Sequence, residues 1–154
     1  MMVPDTTAHL ATFAAVFVAL FVAHQVADHW IQTDHQALHK GNPGHAGRLA
    51  CAAHVATYTV TAVIALHTVR FVLDLPLHPA QVAAGLTVSA VTHYFADRRA
   101  PLAALARLAR LDAFYALGHP RASRDDKPCI GTGAYALDQS FHYLFLFVAA
   151  LIIA

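Results

Sequence analysis

Four apolar stretches recur along this 154-residue chain, at about residues 10–31, 49–73, 80–95 and 134–154. Each approaches the roughly 20 apolar residues that a helix needs to cross a bilayer. Composition agrees: hydrophobic residues make up 58% and charged residues 12%, where soluble domains average about 45–50% and about 25%. An all-α integral membrane four-helix bundle follows, as a single transmembrane domain over residues 1–154. Pro43, Gly44 and Gly47 mark the first connection, and Pro76 and Pro79 the second. Gly118, Pro120, Pro128, Gly131 and Gly133 punctuate the third.

Charge placement sets an orientation. Nine of the ten basic residues fall in two connections, residues 32–48 with Lys40 and Arg48, and 98–133 with Arg98, Arg99, Arg107, Arg110, Arg121, Arg124 and Lys127. Only Arg70 lies toward the other side. Cytoplasmic loops carry excess Lys and Arg, so both connections are expected in the cytoplasm and both termini outside, in the inner (cytoplasmic) membrane. No cleavable signal peptide is expected, because the first residues lack a basic run. Residues 101–117 read as an extra peripheral helix between spans three and four, with Leu102, Leu105, Leu108 and Leu111 drifting around its surface. Such a helix suits the interface with anionic headgroups. The net charge of +1 gives no reason to expect nucleic acid. Cys51 and Cys129 fit no zinc or redox spacing and are expected to be free thiols.

Ionisable residues inside spans are costly and mark function, and here they form a pattern. The first span has His24 and Asp28, the second His54, the third His93 and Asp97, and the fourth Asp138 and His142. Positions four apart share a helix face, so each His–Asp pair aims a nitrogen and an oxygen at one place. All seven fall toward the cytoplasmic ends of their spans. The plain alternative is three hydrogen-bonded pairs that lock helices together, since buried polar groups find partners. Their common depth favours metal: the donor set suits zinc first, with manganese, iron or nickel as other choices. Seven donors allow one or two ions, the second bridged through an aspartate at about 3.5–4 Å. Gln32 and Gln139 are candidates for orienting a ligand.

The remaining histidines have other readings. His29, His35, His39 and His45 read as interfacial, His67 and His78 as incidental, and His9 and His119 as solvent-exposed. Trp30, Tyr94 and Tyr143 suit an aromatic belt.

The runs His24-Gln25-Val26-Ala27-Asp28 with Gln32, His93-Tyr94-Phe95-Ala96-Asp97, and Asp138-Gln139-Ser140-Phe141-His142 resemble a family of small bacterial and phage membrane proteins of unknown function, over nearly the whole chain. More distantly they are similar to YdjM-like membrane-bound metal-dependent hydrolases, and farther still to the helical zinc phospholipase C and P1-type nuclease group. The last likeness implies metal ligation by His24, Asp28, His54, His93, Asp97, Asp138 and His142. The chain departs from that group in lacking an N-terminal tryptophan ligand and in inverting the last pair.

The function expected is a metal-dependent hydrolase at the cytoplasmic membrane face. Asp97 or Asp138 would accept a proton, and the arginine-rich third connection would attract an anionic lipid or other phosphoester. Membrane lipids are the expected surroundings. Two alternatives stand beside it: a structural or regulatory membrane protein stabilised by a metal or a His–Asp network, and a divalent-metal binding or transport protein. Four helices are few for a transport pathway unless the chain forms a homo-oligomer.

Overall fold

The computed structural model describes residues 6–120 and 131–154. Among them every regular element is helical: α1 (Thr6–Val26), α2 (Asp34–His39), α3 (Gly44–Leu73), α4 (Pro79–Asp97), α5 (Ala100–Leu108), α6 (Asp112–Tyr115) and α7 (Gly133–Ile153). A π-helical turn, Ala27–Ile31, continues α1. The four long helices close a ring, in which α1 packs on α3 and α7, and α4 packs on α3 and α7.

Thr6–Ile31, Gly44–Leu73 and Gly133–Ile153 are long and apolar enough to cross a membrane. The fourth expected span, α4, is 19 residues long, but Gln81, Thr87, Ser89, Thr92 and His93 dilute its apolar run. It falls outside that group.

The bundle is apolar outside and charged inside. Val18 is 59% exposed, Ile64 61% and Leu144 56%, whereas His24, His54, His93, Asp97 and His142 are buried. That distribution opposes the one water imposes. Where the surroundings are apolar, burying aliphatic surface no longer drives helices together, so close packing must. Small residues supply it: Ala19, Ala23 and Ala27 recur at every fourth position on the buried face of the first helix and its π turn, against Ala62, Ala149 and Ala150 in the same core. Phe13 meets Phe147 edge-to-face at 5.4 Å between ring centroids. Thr12, Thr59, Thr61, Thr68, Thr87 and Thr92 each donate a hydroxyl proton to the carbonyl four residues earlier, which satisfies polar groups within the helix.

Gly85 sets the approach of α4 to α7. A Cβ there would lie 2.5 Å from Ile153 Cγ1 and 2.9 Å from the Ala149 carbonyl oxygen. Gly85→Ala is therefore expected to destabilise by about 1–3 kcal/mol, the usual cost of overpacking. A lower unfolding midpoint in detergent checks this, and an unchanged midpoint would mean that the two helices part freely.

At the polar end of the bundle the chain is latched. Thr33 and Gln36 form a reciprocal capping box that starts α2. Arg98, just past α4, donates from Nη1 to the Lys40 carbonyl and from Nη2 to the Asn42 carbonyl, both at 2.6 Å. Arg99 Nη2 donates to the Ala37 carbonyl at 3.1 Å. The short helix α2 was not foreseen; it lies where a plain loop was expected.

The expected helix over residues 101–117 is two pieces. Arg110 adopts a positive φ of 59°, which a continuous right-handed helix excludes, and α5 ends at Leu108. Of the four drifting leucines only Leu102 is buried; Leu105, Leu108 and Leu111 are exposed. Arg121, Arg124, Lys127, Pro128 and Cys129 lie outside the described residues. Cys51 is a buried free thiol, with Sγ 3.8 Å from the Tyr94 carbonyl oxygen.

Candidate metal centre

Each long helix delivers its polar residues to one point. His24 closes the last turn of α1, and the π turn that follows carries Asp28. Single π turns inside helices often mark functional positions, and this one lets a single carboxylate face three histidines. Asp28 Oδ2 lies 3.5 Å from His24 Nε2, and Oδ1 lies 3.4 Å from His54 Nε2 and 3.6 Å from His93 Nε2. From the end of α4, Asp97 Oδ2 lies 3.2 Å from Nε2 of both His54 and His93. The two Nε2 atoms are 3.0 Å apart.

These separations bear on both readings of the pattern, since His54 Nε2 and His93 Nε2 are within hydrogen-bond distance of each other. The His–Asp distances lie at or beyond the roughly 2.7–3.2 Å range of an N–H···O hydrogen bond. Two ligands each about 2.0–2.1 Å from a tetrahedral metal stand about 3.3–3.4 Å apart. Asp28 Oδ1, His54 Nε2 and His93 Nε2 form a triangle with sides of 3.0–3.6 Å, and Asp97 Oδ2 closes a second triangle on the same two nitrogens, 3.2 Å from each. Asp28 Oδ1 and Asp97 Oδ2 are buried and make no hydrogen bond, as are His24 Nε2 and His142 Nε2. Buried polar atoms are rarely left so, and a cation held by Asp28, His54, His93 and Asp97 would partner the two oxygens.

A second set adjoins the first. His142 Nε2 is 3.7 Å from Asp138 Oδ2 and 4.0 Å from Asp97 Oδ1. The rings of His24 and His142 have centroids 4.8 Å apart. All seven expected ligands therefore meet, in three overlapping triads (His24, His93 and His142; Asp28, His54 and His93; Asp97, Asp138 and His142) whose ligand atoms lie within 4.8 Å of one another.

Of the residues expected to orient ligands, Gln139 does so: its Nε2 donates to Asp138 Oδ2 at 3.3 Å, and its Oε1 accepts from the Tyr143 hydroxyl at 3.0 Å. Gln25 Nε2 extends the chain to Tyr143 at 2.9 Å. Tyr143 thus belongs to the network rather than to an aromatic belt. Gln32 caps the π turn through its backbone N–H, and its Nε2 is buried without a hydrogen bond.

His29, His35, His39, His67 and His9 make other contacts, with the Gln25 carbonyl, with each other's ring, with Asn42, with the Val63 carbonyl and with the Ala154 carbonyl respectively. Trp30 is exposed, as a belt residue would be.

Two contributors escaped the sequence. Tyr58 stacks on His93 at 4.1 Å between ring centroids and hydrogen-bonds Ser89. Its signal was present, since Tyr58 follows His54 by four residues and Ser89 precedes His93 by four. The Nδ1 atoms of His24, His54 and His93 have no protein acceptor, so stacking of this kind holds the rings where a carboxylate often does. The other contributor is Lys40, whose Nζ lies 2.7 Å from Asp97 Oδ1 with both side chains nearly enclosed. No spacing announces it, because it comes from the first connection.

Fold and site together define an all-α protein with membrane-length apolar helices wrapped around a buried His/Asp cluster. The chain belongs to the family described as a protein of unknown function, DUF3307, whose model matches residues 16–154. Neither the curated proteins nor the solved structures contain a match, so the likeness to YdjM-like hydrolases finds no support there.

Proposed function

We propose that this chain is an integral membrane four-helix bundle whose core is a divalent-metal centre, acting as a metal-dependent hydrolase on a phosphoester or lipid-like substrate. The observation that carries the reading is the convergence of Asp28, His54, His93 and Asp97, with His–His and His–Asp separations of 3.0–3.6 Å and buried oxygens that make no hydrogen bond. Two nitrogens and two carboxylate oxygens suit zinc, with manganese, iron or nickel as further choices. In the membrane, α4 crosses as the fourth span, with Ser89, His93 and Asp97 turned to the centre. Lys40, Arg98 and Arg99 latch the same end of the bundle as the centre, and an excess of basic residues puts that end in the cytoplasm.

A divalent ion held there would supply Lewis acidity and lower the pKa of water toward neutrality. The chain's own residues then divide the work. Asp97 turns Oδ2 toward His54 and His93 and pairs Oδ1 with Lys40, and serves as a ligand. Asp138 has the most open side chain of the seven, 26% exposed, and is free to take a proton, with Gln139 steadying it. An apolar groove of about 570 Å³ lies beside Val55, Ala56, Val60 and Tyr94. The groove is shaped and lined to take an acyl chain.

The test is turnover of bis(4-nitrophenyl) phosphate and of a short-chain phospholipid by the metal-loaded protein in detergent. Asp138→Asn should lower turnover by about 10²–10⁴-fold, the usual weight of a general base, with metal content unchanged. Parent turnover that the variant keeps would remove Asp138 from the chemistry. A parent that turns over nothing would favour a structural centre, the reading supported by the near-complete burial of His24, His54, His93, Asp97 and His142.

A further inference from the structure

Lys40 is a nearly enclosed ammonium beside a proposed cation site, and the hydrolase reading gives its charge no chemical role. Its backbone is fixed independently of its side chain. Arg98 Nη1 holds its carbonyl at 2.6 Å and Arg98 Nη2 holds that of Asn42 at 2.6 Å. Gly41 passes so close to Arg99 that a Cβ would come within 2.7 Å of Arg99 Cδ. From this latch the side chain reaches inward and sets Nζ 2.7 Å from Asp97 Oδ1.

Position decides what that contact does. Asp97 Oδ2 faces His54 and His93 at 3.2 Å each, on the side of the Asp28 triad. Oδ1 points the other way, toward His142 Nε2 at 4.0 Å, and His142 in turn lies 3.7 Å from Asp138. A second ion on His142 and Asp138, bridged to the first through Asp97, would bond Oδ1. The Lys40 ammonium already occupies that oxygen. Charge works in the same direction: Asp28, Asp97 and Asp138 bring three negative charges, and Lys40 with one divalent ion balances them. A second divalent ion would leave two uncompensated positive charges in an enclosed, low-dielectric site, at high cost.

We propose that Lys40 is a tethered cation standing in the second metal position, so that the centre holds one divalent ion where its seven donors have room for two. The proposal rests on the metal-binding reading above. Lys40 acts through Asp97 and is a positioning residue.

The experiment is metal stoichiometry of the full chain in detergent, by inductively coupled plasma mass spectrometry after saturation with Mn²⁺ and desalting, with electron paramagnetic resonance of the same samples. The parent should hold about one Mn²⁺ per chain with an isolated-ion spectrum. Lys40→Met should hold about two, with the broadened spectrum of a coupled pair. Lys40→Arg, which keeps the charge, should stay at one. Adding Asp138→Asn to Lys40→Met removes the second site's carboxylate and should return the count to one. If Lys40→Met fails to fold, Lys40→Gln takes its place. Two ions in the parent, or one in both parent and Lys40→Met, would overturn the role of Lys40 and leave the metal centre standing. No ion in the parent would overturn the metal centre and the proposal with it.

Discussion

Replacing His54 and His93 together by alanine should strip the protein of bound metal. The two Nε2 atoms face each other across 3.0 Å, and Asp28 and Asp97 bracket them at 3.2–3.6 Å. Loss of an outer-shell partner typically weakens a metal site by about 10–100-fold. Losing two direct ligands should exceed about 10³-fold, so occupancy after desalting falls from near stoichiometric to near zero. This pair is a better probe than any variant at Asp97, because it leaves the Lys40–Asp97 contact intact. Chelation of the parent should lower its unfolding midpoint as well. A ligand held at about 100 times its dissociation constant stabilises by about 2.7 kcal/mol, and its removal also leaves Asp28 and Asp97 without the cation that offsets their burial. Metal retained by the double variant, or a melt unmoved by chelation, would return the cluster to a network that only locks helices.

The candidate centre was legible because membrane sequences make polar residues conspicuous. His24, Asp28, His54, His93, Asp97, Asp138 and His142 interrupt apolar runs, and spacing by four puts each pair on one face. The four long helices followed from the same contrast. What spacing missed depends on departures from the regular helix. The geometry of Asp28 comes from a π turn at Ala27–Ile31, and nothing in periodicity marks where a helix takes an extra residue per turn. The break after Leu108 rests on the positive φ of Arg110, a conformation ordinarily avoided by residues with a Cβ. Lys40 reaches Asp97 from 57 positions away in sequence, through a latch built by Arg98 and Arg99. As a basic residue in a connection it read only as an orientation signal. Part of the polarity of α4 has the same origin as the candidate centre: the helix gives up apolar residues at Ser89, His93 and Asp97 to furnish and support the candidate ligands, while Gln81 and Thr87 are exposed.

In metal-free protein the Lys40–Asp97 pair should be the most sensitive point of the bundle. Lys40 Nζ and Asp97 Oδ1 are 2.7 Å apart and nearly enclosed. Attraction between such charges barely repays their desolvation, yet removing one partner leaves the other buried alone, at about 3–5 kcal/mol. Asp97→Ala, measured after chelation, should therefore destabilise by about that amount, shown by a lower midpoint in a denaturing-detergent titration. The orphaned ammonium has Asp28 and Asp138 as the remaining carboxylates of the cluster, which moves the effect toward the lower end of that range. Lys40→Met added to Asp97→Ala should recover most of the loss, because a methionine stem fills similar volume and asks for no partner. The signature is coupling: the double variant more stable than the sum of the singles by at least about 1 kcal/mol, within the range found for residues in contact. Additive singles would mean that the ammonium escapes to solvent when Asp97 is gone. The latch of Arg98 and Arg99 would then give way with it, and the polar end of the bundle would be open to water rather than sealed.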